Sequence, residues 1–274
     1  PNPAAYRPST VPAAGTIVPQ SVTALAENFK NPQSWKSSIA MDTKLPWGIV
    51  ASLYAIFNKD LNTAFFRSPN YITPQNLNVA GYPDNRPFYG ATVPTRFTNT
   101  LNAAGVFVPG GTTNFVPVII DNGKQGYYFA FTAKFDKPFS KGFFASIAYT
   151  KSMAGNLHDG SGDQPLGTYQ GTQQVNGLNT PDISYSQFVV PDRVIGNLSY
   201  RKEYFKHLAT TVSFFYQGSI DGRYSYVYNG DFNRDGVNGN DLIFIPTAGQ
   251  VQQMQFSSQT VSGVVYDQTA QRNL

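Results

Sequence analysis

The sequence predicts a mainly β protein made of long antiparallel hairpins, and three observations support this prediction. Apolar and polar residues alternate with a period of two over several stretches of about 9–12 residues. Aromatic residues make up 15% of the chain, whereas charged residues make up only 13%, well below the roughly 25% of an ordinary soluble domain. The connections between the alternating stretches are by turns short and long, a pattern typical of strands that cross a membrane.

The first hairpin is predicted at residues 35–58. Its strands contain the stretches SSIAMDTK and WGIVASLYAIFN, and Pro46 and Gly48 mark the turn between them. The alternation is weaker in the second of these stretches.

The second and third hairpins are predicted at residues 127–152 and 193–217, where the alternation is clearer. In the second hairpin Pro138 and Gly142 interrupt the pattern and predict the turn. In the third hairpin the short stretch KEYFKH connects the two strands. The apolar face of the second hairpin is expected to meet lipid, with aromatic rings near the strand ends, and comprises Tyr127, Phe129, Phe131, Phe135, Phe143, Ile147 and Tyr149.

Long loops are predicted at residues 59–126, 153–192 and 218–241, which are rich in Gly, Asn, Pro, Thr and Gln. Membrane barrels have short periplasmic turns and long extracellular loops, so this alternation predicts an antiparallel transmembrane β-barrel with long extracellular loops. In a soluble domain, a structureless loop of this length would argue against the strand assignment.

A soluble β-sandwich with large insertions is the alternative, because soluble sheets also alternate apolar and polar residues. The two structures differ in where the apolar face lies. A barrel places Phe129, Phe131, Ile147 and Phe214 against lipid, whereas a soluble domain places them in a closed core. The scarcity of charge on the polar face favours the barrel, since that face would then line a lumen.

Composition also bears on partners and chemistry. The chain has no cysteine and a formal net charge of +4 without a cluster of Lys and Arg, so nothing predicts a thiolate metal site or nucleic acid binding. Its two histidines, His158 and His207, have no partner spacing typical of a catalytic triad. We therefore predict no enzymatic activity and no catalytic residue.

Six longer segments carry a resemblance to a known family. One of them is the hairpin GYYFAFTAKFDKPFSKGFFASIAYTKS at residues 126–152, and the specific feature is the combination of YSYVYNGDFNRDG at 224–236 with NDLIFIP at 240–246. With them the chain resembles the C-terminal barrel half of the TonB-dependent outer-membrane transporters of Bacteroidota, in particular the Oar-like and SusC-like group.

This resemblance implies that residues 1–274 are an internal fragment of a 22-stranded barrel in the cell outer membrane. The plug and the TonB-contacting segment would lie outside this chain. The family takes up nutrients, such as an oligosaccharide or a peptide, with energy from the TonB–ExbB–ExbD complex, and SusC-like members have a lid lipoprotein as partner. The alternative function is that of a soluble, calcium-stabilised extracellular β domain for adhesion or glycan binding.

A calcium site is predicted in the stretch GDFNRDGVNGNDL, with Asp231, Asn233, Asp235 and Asp241 as ligands. The first three match the alternating oxygen ligands of an EF-hand loop, and Gly236 matches its turn position. The match then fails, because Leu242 stands where that loop has a bidentate acid. The other interpretation is a turn in which Asp and Asn side chains bind their own backbone.

Aromatic residues of the long loops also have two interpretations. They could contact a transported ligand, or they could pack the loops against one another. The residues concerned are Tyr71, Tyr82, Phe88, Tyr89, Tyr169 and Tyr185.

Overall fold

The computed structural model describes residue 13 and residues 15–160, 162–205 and 207–273. The remaining positions of the span 1–274 lie outside the described residues. Nine strands form one sheet, and two pairs of short strands form separate ribbons. The strands are β1 Ser21–Leu25, β2 Gln33–Lys44, β3 Val50–Arg67, β4 Gln75–Asn76, β5 Pro87–Phe88, β6 Val116–Gly123, β7 Tyr127–Ser140, β8 Phe143–Asn156, β9 Ser184–Tyr185, β10 Asp192–Tyr204, β11 Leu208–Ser219, β12 Gln259–Val261 and β13 Val264–Tyr266.

Helices are few and short. They are α1 Val93–Arg96, α2 Pro165–Gly171, α3 Ala248–Gln253 and α4 Gln268–Arg272, with a further 3₁₀ turn at Pro46–Gly48. Within the described ranges, none of them has the length and apolar character needed to cross a membrane.

Six long strands form an antiparallel meander in the order β2-β3-β7-β8-β10-β11. They are 12–18 residues long, whereas strands of globular proteins average about 5–6 residues. The three predicted hairpins coincide with β2–β3, β7–β8 and β10–β11. Among the described strands of this sheet, only β1 and β6 pair in parallel. The prediction of a mainly β, antiparallel chain is confirmed.

Short turns connect the strands at one end of the meander. Between β7 and β8 the turn consists of Lys141 and Gly142, which have φ angles of 53° and 79°. Two successive residues with positive φ are the signature of a type I′ turn, whose twist suits a tight hairpin. A side chain at Gly142 would also place its Cβ 2.3 Å from the carbonyl oxygen of Arg201, so this turn packs closely against β10.

β3 extends beyond the predicted first hairpin. Its partner opposite Lys59 is Tyr127 of β7, and its partner opposite Thr63 is Gly123 of β6, so one register runs along both strands. Residues 124–126 interrupt this ladder only briefly. The predicted loop 59–126 is therefore corrected to residues 68–115. The sequence pattern missed β6 because VPVIIDNG contains a proline and lacks alternation.

The loops predicted at residues 153–192 and 218–241 also contain regular structure. β8 continues to Asn156, and the following connection includes α2 and β9. The third loop forms an isolated antiparallel bridge between Val227 and Leu242. We call residues 68–115, 157–191 and 220–273 together the loop layer. Since they follow the carboxyl ends of β3, β8 and β11, they all leave the same end of the meander.

The meander has one apolar and one mostly polar face. Cross-strand partners share a face, so the pairing of Phe135 with Ile147 and of Leu198 with Phe214 places apolar residues side by side. The large side chains of this apolar face are exposed: Ile39, Met41, Phe57, Phe129, Phe131, Phe135, Phe143, Ile147, Tyr149, Leu198, Tyr200, Val212, Phe214 and Tyr216.

The opposite face carries hydroxyl, amide and charged side chains, and some of its hydroxyls pair across strands. Thr132 and Thr150 lie 2.9 Å apart through their hydroxyl oxygens, and so do Ser199 and Ser213. A few large apolar side chains, Ile56 and Phe215 among them, interrupt this face. The sheet does not close into a barrel within the described residues, because β2 and β11 each have a single neighbour in it.

The hydrophobic core cluster lies in the loop layer and at β6, not beneath the meander. Tyr71 is at its centre, with ring centroids 4.6 Å from Phe97, 5.3 Å from Tyr89 and 6.4 Å from Tyr169. Tyr71, Tyr89 and Tyr169 are buried. For these three residues the packing interpretation therefore holds.

Candidate functional site

The Asp-rich loop at residues 231–241 folds around hydrogen bonds from its own backbone. Oδ1 of Asn233 accepts from the amide of Asp235, and Oδ1 of Asp235 accepts from the amide of Val237, both at 2.8 Å. Each of these bonds spans two residues, which is the geometry of an Asx turn. Asp231 closes a wider ring, since its Oδ2 accepts from the amide of Gly236 at 2.9 Å.

Asp241 fastens the end of this loop to its beginning. Its Oδ2 accepts from the amides of Phe232 and Asn233, at 2.9 and 3.2 Å. The side chains of Asn233, Asp235 and Asp241 are fully buried. Backbone amides therefore satisfy several of the carboxylate and amide oxygens that the sequence analysis assigned to calcium.

A buried arginine from a distant segment faces Asp241. Arg86 donates from Nε to Oδ2 of Asp84 at 2.7 Å and from Nη2 to the carbonyl oxygen of Leu242 at 2.7 Å. Its Nη1 lies 3.7 Å from Oδ1 of Asp241. Because a buried charge is tolerated only when it is paired, these contacts hold residues 84–86 against the Asp-rich loop.

Aromatic rings cover the Arg86 guanidinium. The rings of Tyr228 and Phe232 stack at 4.2 Å, and the guanidinium carbon lies 5.4 and 5.0 Å from their centroids. Such cation–π contacts contribute about 2 kcal/mol when the cation is desolvated. Arg86 is thus held by charge on one side and by aromatic faces on the other.

A second arginine, Arg96, faces the other end of the loop. Its Nη2 lies 3.6 Å from Oδ2 of Asp231. Gly236 makes this approach feasible, because a Cβ at that position would lie 2.3 Å from Nη1 of Arg96. Gly236 also has a φ of 91°, a conformation that side chains rarely adopt.

Asp235 has no such cation beside it. Its carboxylate accepts from the side-chain amides of Asn240, at 2.9 Å, and Asn233, at 3.2 Å. Burial raises the pKa of Asp235 to about 6, and the nearby charge of Asp231 acts in the same direction. The backbone of Asp235 is tied to the hydrophobic core cluster, because its carbonyl oxygen accepts from the Tyr71 hydroxyl at 2.9 Å.

The structure brings the four predicted calcium ligands, Asp231, Asn233, Asp235 and Asp241, into one loop. Buried oxygens without a hydrogen-bond partner remain on Asp231, Asn240 and Asp241. Across residues 15–160, 162–205 and 207–273, however, no three His, Cys, Asp or Glu side chains are grouped so that they could hold a metal ion. The turn geometry is present, and calcium binding stays a prediction.

A cleft of about 1020 Å³ lies beside this loop, between the carboxyl end of β8 and residues 220–225. Its lining includes Lys151, Tyr185, Asp192, Arg223 and Leu242. This volume is at the upper end of the roughly 300–1,000 Å³ typical of ligand pockets.

His158 also lines the cleft, and both of its ring nitrogens are engaged. Nδ1 accepts from the amide of Gly160 at 3.1 Å, so Nε2 carries the proton and donates to the carbonyl oxygen of Ala64 at 2.9 Å. The residue ties the start of the loop layer to β3. His207 lies exposed in the turn between β10 and β11.

No family model, curated protein or solved structure matches this chain.

Sequence reasoning missed the arginines and the cleft. Arg86 and Arg96 lie far from the Asp-rich loop along the chain, and no local pattern links them to it. Arg223 follows β11 in a stretch that shows only loop character. The single usable signal was the excess of acidic residues at 231–241, since acids that are buried require partners.

Proposed function

We propose that this chain is a segment of a TonB-dependent active transporter of the outer membrane, with the six-stranded meander as part of its barrel wall. The observation that supports the proposal most strongly is the exposed apolar face. The four side chains that distinguish lipid contact from a closed core are Phe129, Phe131, Ile147 and Phe214. Their exposed fractions are 36%, 37%, 54% and 71%.

Water is a poor environment for such a face. Contiguous apolar patches on soluble monomers rarely exceed a few hundred Å², and each large apolar side chain gains about 1.5–3 kcal/mol when it leaves water. The described part of the chain provides no second layer over this face, since its hydrophobic core cluster lies in the loop layer and at β6. Lipid acyl chains are the partner that suits strands of this length.

The polar face suits the wall of a wet channel. Its hydroxyl pairs, such as Thr132 with Thr150, are neutral. Its charges include Lys134 and Asp136, which pair with each other at 2.7 Å. The face also carries Asp42, Arg193 and Arg201, so it is polar enough to lie against the water of a lumen.

The positions of turns and loops give the orientation. Outer-membrane barrels have short periplasmic turns and long extracellular loops. The loop layer, and the cleft with it, would therefore lie on the outside of the cell. The transported nutrient would be an oligosaccharide or a peptide.

The open edges of β2 and β11 support a larger assembly. A sheet edge in lipid leaves backbone groups without hydrogen bonds, so further strands must continue the sheet on both sides. The resemblance described above implies that these further strands belong to the same 22-stranded barrel. The same resemblance implies that the transporter is coupled to TonB–ExbB–ExbD through parts outside this chain. It also implies a lid lipoprotein as a partner.

Fractionation and an energised uptake assay test the proposal. We expect the intact protein in the outer membrane, with a gel mobility that changes on heating as a folded barrel does. We also expect uptake to stop when ExbB is removed. Recovery in a soluble extracellular fraction would contradict the proposal and favour the calcium-stabilised adhesion or glycan-binding domain.

We further propose that Asp231, Asn233, Asp235 and Asp241 bind calcium in the extracellular loop, supported by the buried oxygens of Asp231 and Asp241 that lack hydrogen-bond partners. Calcium that binds only the folded loop would raise its stability with the logarithm of calcium concentration. Hydrogen exchange of residues 230–242 with 10 mM calcium or with EDTA measures this effect, and Asp235→Asn should abolish it. Equal protection in both solutions would leave the Asx turns as the full explanation.

A further inference from the structure

The charged groups of the cleft are mostly paired with one another or with backbone. Lys151 donates to both carboxylate oxygens of Asp192, at 2.9 and 2.8 Å. Asp159 accepts from the side chains of Asn156 and Ser186 at 2.7 Å and from the backbone amide of Gln187 at 3.0 Å. Lys151, Asp192 and Asp159 thus have partners within the walls of the cleft.

Two charged side chains of opposite sign have few direct partners among the described residues. Arg223 makes no hydrogen bond with them; it lies close enough to the Lys151–Asp192 pair to interact with it electrostatically, and its guanidinium carbon lies 3.8 Å from the ring centroid of Tyr185. The donors along the edge of a stacked guanidinium stay free to bind a carboxylate. Asp221 accepts a hydrogen bond only from the adjacent amide of Gly222 among described residues, at 2.8 Å.

The segment that carries both charges is fixed in place. A Cβ at Gly222 would lie 2.8 Å from the carbonyl oxygen of Gln187, so residues 221–223 pack directly on the opposite wall. The stacking of Arg223 on Tyr185 of β9 adds a second attachment to that wall. Arg223 and Asp221 are therefore held on one rigid rim of the cleft.

We propose, on the basis of the transport function proposed above, that the cleft binds short peptides with free termini. Arg223 would bind the terminal carboxylate, and Asp221 the terminal ammonium group. A ligand with one charge of each sign matches the two free charges, whereas an anionic ligand would leave Asp221 without a partner. The exposed ring of Tyr224 offers an apolar surface for the body of the peptide.

The experiment measures binding to the intact protein in outer-membrane vesicles. The ligands are a pool of Ala-X-X-Ala tetrapeptides with free termini, the same pool acetylated, the same pool amidated, and maltotetraose. The variants are Arg223→Gln and Asp221→Asn. Arg234→Gln is the matched control, since Arg234 is also exposed and lies 4.8 Å over an aromatic ring, that of Phe88, but does not line the cleft.

We expect the free pool to bind at least about tenfold more tightly than either capped pool, because a charge-assisted hydrogen bond is lost with each cap. Arg223→Gln should remove the difference between free and amidated peptides. Asp221→Asn should remove the difference between free and acetylated peptides, and Arg234→Gln should change neither.

Equal binding of free and capped peptides, binding of maltotetraose alone, or an equal effect of Arg234→Gln would overturn the peptide site. The transport proposal is assessed separately in the same vesicles, by recovery of the protein in the outer membrane. A folded membrane protein that binds none of the ligands would contradict the peptide site and leave the barrel proposal standing.

Discussion

Arg86 and Asp241 face each other in the interior of the loop layer, with Nη1 of the arginine 3.7 Å from Oδ1 of the aspartate and neither side chain exposed. Asp84 binds the same guanidinium, and Tyr228 and Phe232 cover it. Removal of one partner from such a group is strongly destabilising, because it leaves a buried charge unpaired. The group joins two segments of the loop layer that are distant along the chain.

Arg86→Ala should therefore open the Asp-rich loop. The variant leaves Asp84 and Asp241 without their cation, and breaking a buried pair costs about 3–5 kcal/mol. Hydrogen exchange of residues 230–242 should speed up strongly, while the strands of the meander keep their protection. Arg234→Ala is the control, since loss of its exposed contact with Phe88 should cost no more than about 1 kcal/mol. Similar effects of the two variants would contradict the role given to Arg86.

Gly236→Ala should destabilise the same loop more than Gly239→Ala does. Both residues have positive φ, at 91° and 76°, so both substitutions bring backbone strain of roughly 1 kcal/mol. Only at Gly236 would the new Cβ also meet Arg96, whereas nothing lies within 4 Å at Gly239. We expect Gly236→Ala to lower the free energy of unfolding of the loop by about 1–3 kcal/mol more than Gly239→Ala does. Protease sensitivity of the loop measures it, and equal sensitivity would show that Arg96 moves away freely.

The stability of the loop should fall as the pH rises from 5 to 7. Asp235 has a pKa of about 6 in the folded loop, above the ordinary value of 3.8, because burial disfavours its charged form. The protonated carboxyl therefore favours the folded loop fully below pH 3.8. This stabilisation is lost as the pH rises through the folded-state pKa of about 6. The groups that interact with it are Tyr71, Tyr89, Tyr169, Asp231, Asn233 and Asn240.

We expect the free energy of loop opening to decrease by roughly 1.3 kcal/mol over this range. Hydrogen exchange, corrected for the intrinsic effect of pH on exchange rates, gives this free energy. In Asp235→Asn, the remaining pH dependence of loop opening should come from Asp241. Burial raises the pKa of that residue as well. A wild-type loop that becomes more stable toward pH 7 would contradict this account.

Val212→Arg and Thr211→Arg test the two faces of the meander at nearly the same depth. Val212 lies on the apolar face opposite Tyr200, and Thr211 lies on the polar face opposite Arg201. An arginine that faces lipid costs about 2–4 kcal/mol near the middle of the bilayer, whereas one that faces a lumen is tolerated. Denaturant unfolding in lipid vesicles should show a large loss of folding stability for Val212→Arg and little change for Thr211→Arg. Equal losses would indicate that both faces meet the same environment.

The long hairpins could be predicted from the sequence because the period of two is local and strong. Phe129, Phe131 and Phe135 fall on one face whatever the rest of the chain does. The continuation of β3 to Arg67 could not be predicted, since its partner β6 lies beyond a long connection and is itself irregular. A strand of that kind forms because of its neighbours and not because of its own pattern.

The chemistry of the Asp-rich loop was predictable only in part. The residues Asp231, Asn233 and Asp235 stand close together in the sequence, and their capping of nearby amides follows from side-chain length alone. Their partners Arg86 and Arg96 come from another segment. Whether a buried acid meets a metal ion or an arginine depends on tertiary packing, which no local pattern encodes.

Cysteine labelling in intact cells tests the central claim, that the apolar face meets lipid, most directly. The chain has no cysteine, so Phe131→Cys and Tyr224→Cys give one reactive site each within it. Position 131 lies on the apolar face, and position 224 is highly exposed in the loop layer. We expect a membrane-impermeant thiol reagent to label position 224 on intact cells and to reach position 131 only after detergent is added. Rapid labelling of position 131 in a protein that fractionates as soluble would contradict the account.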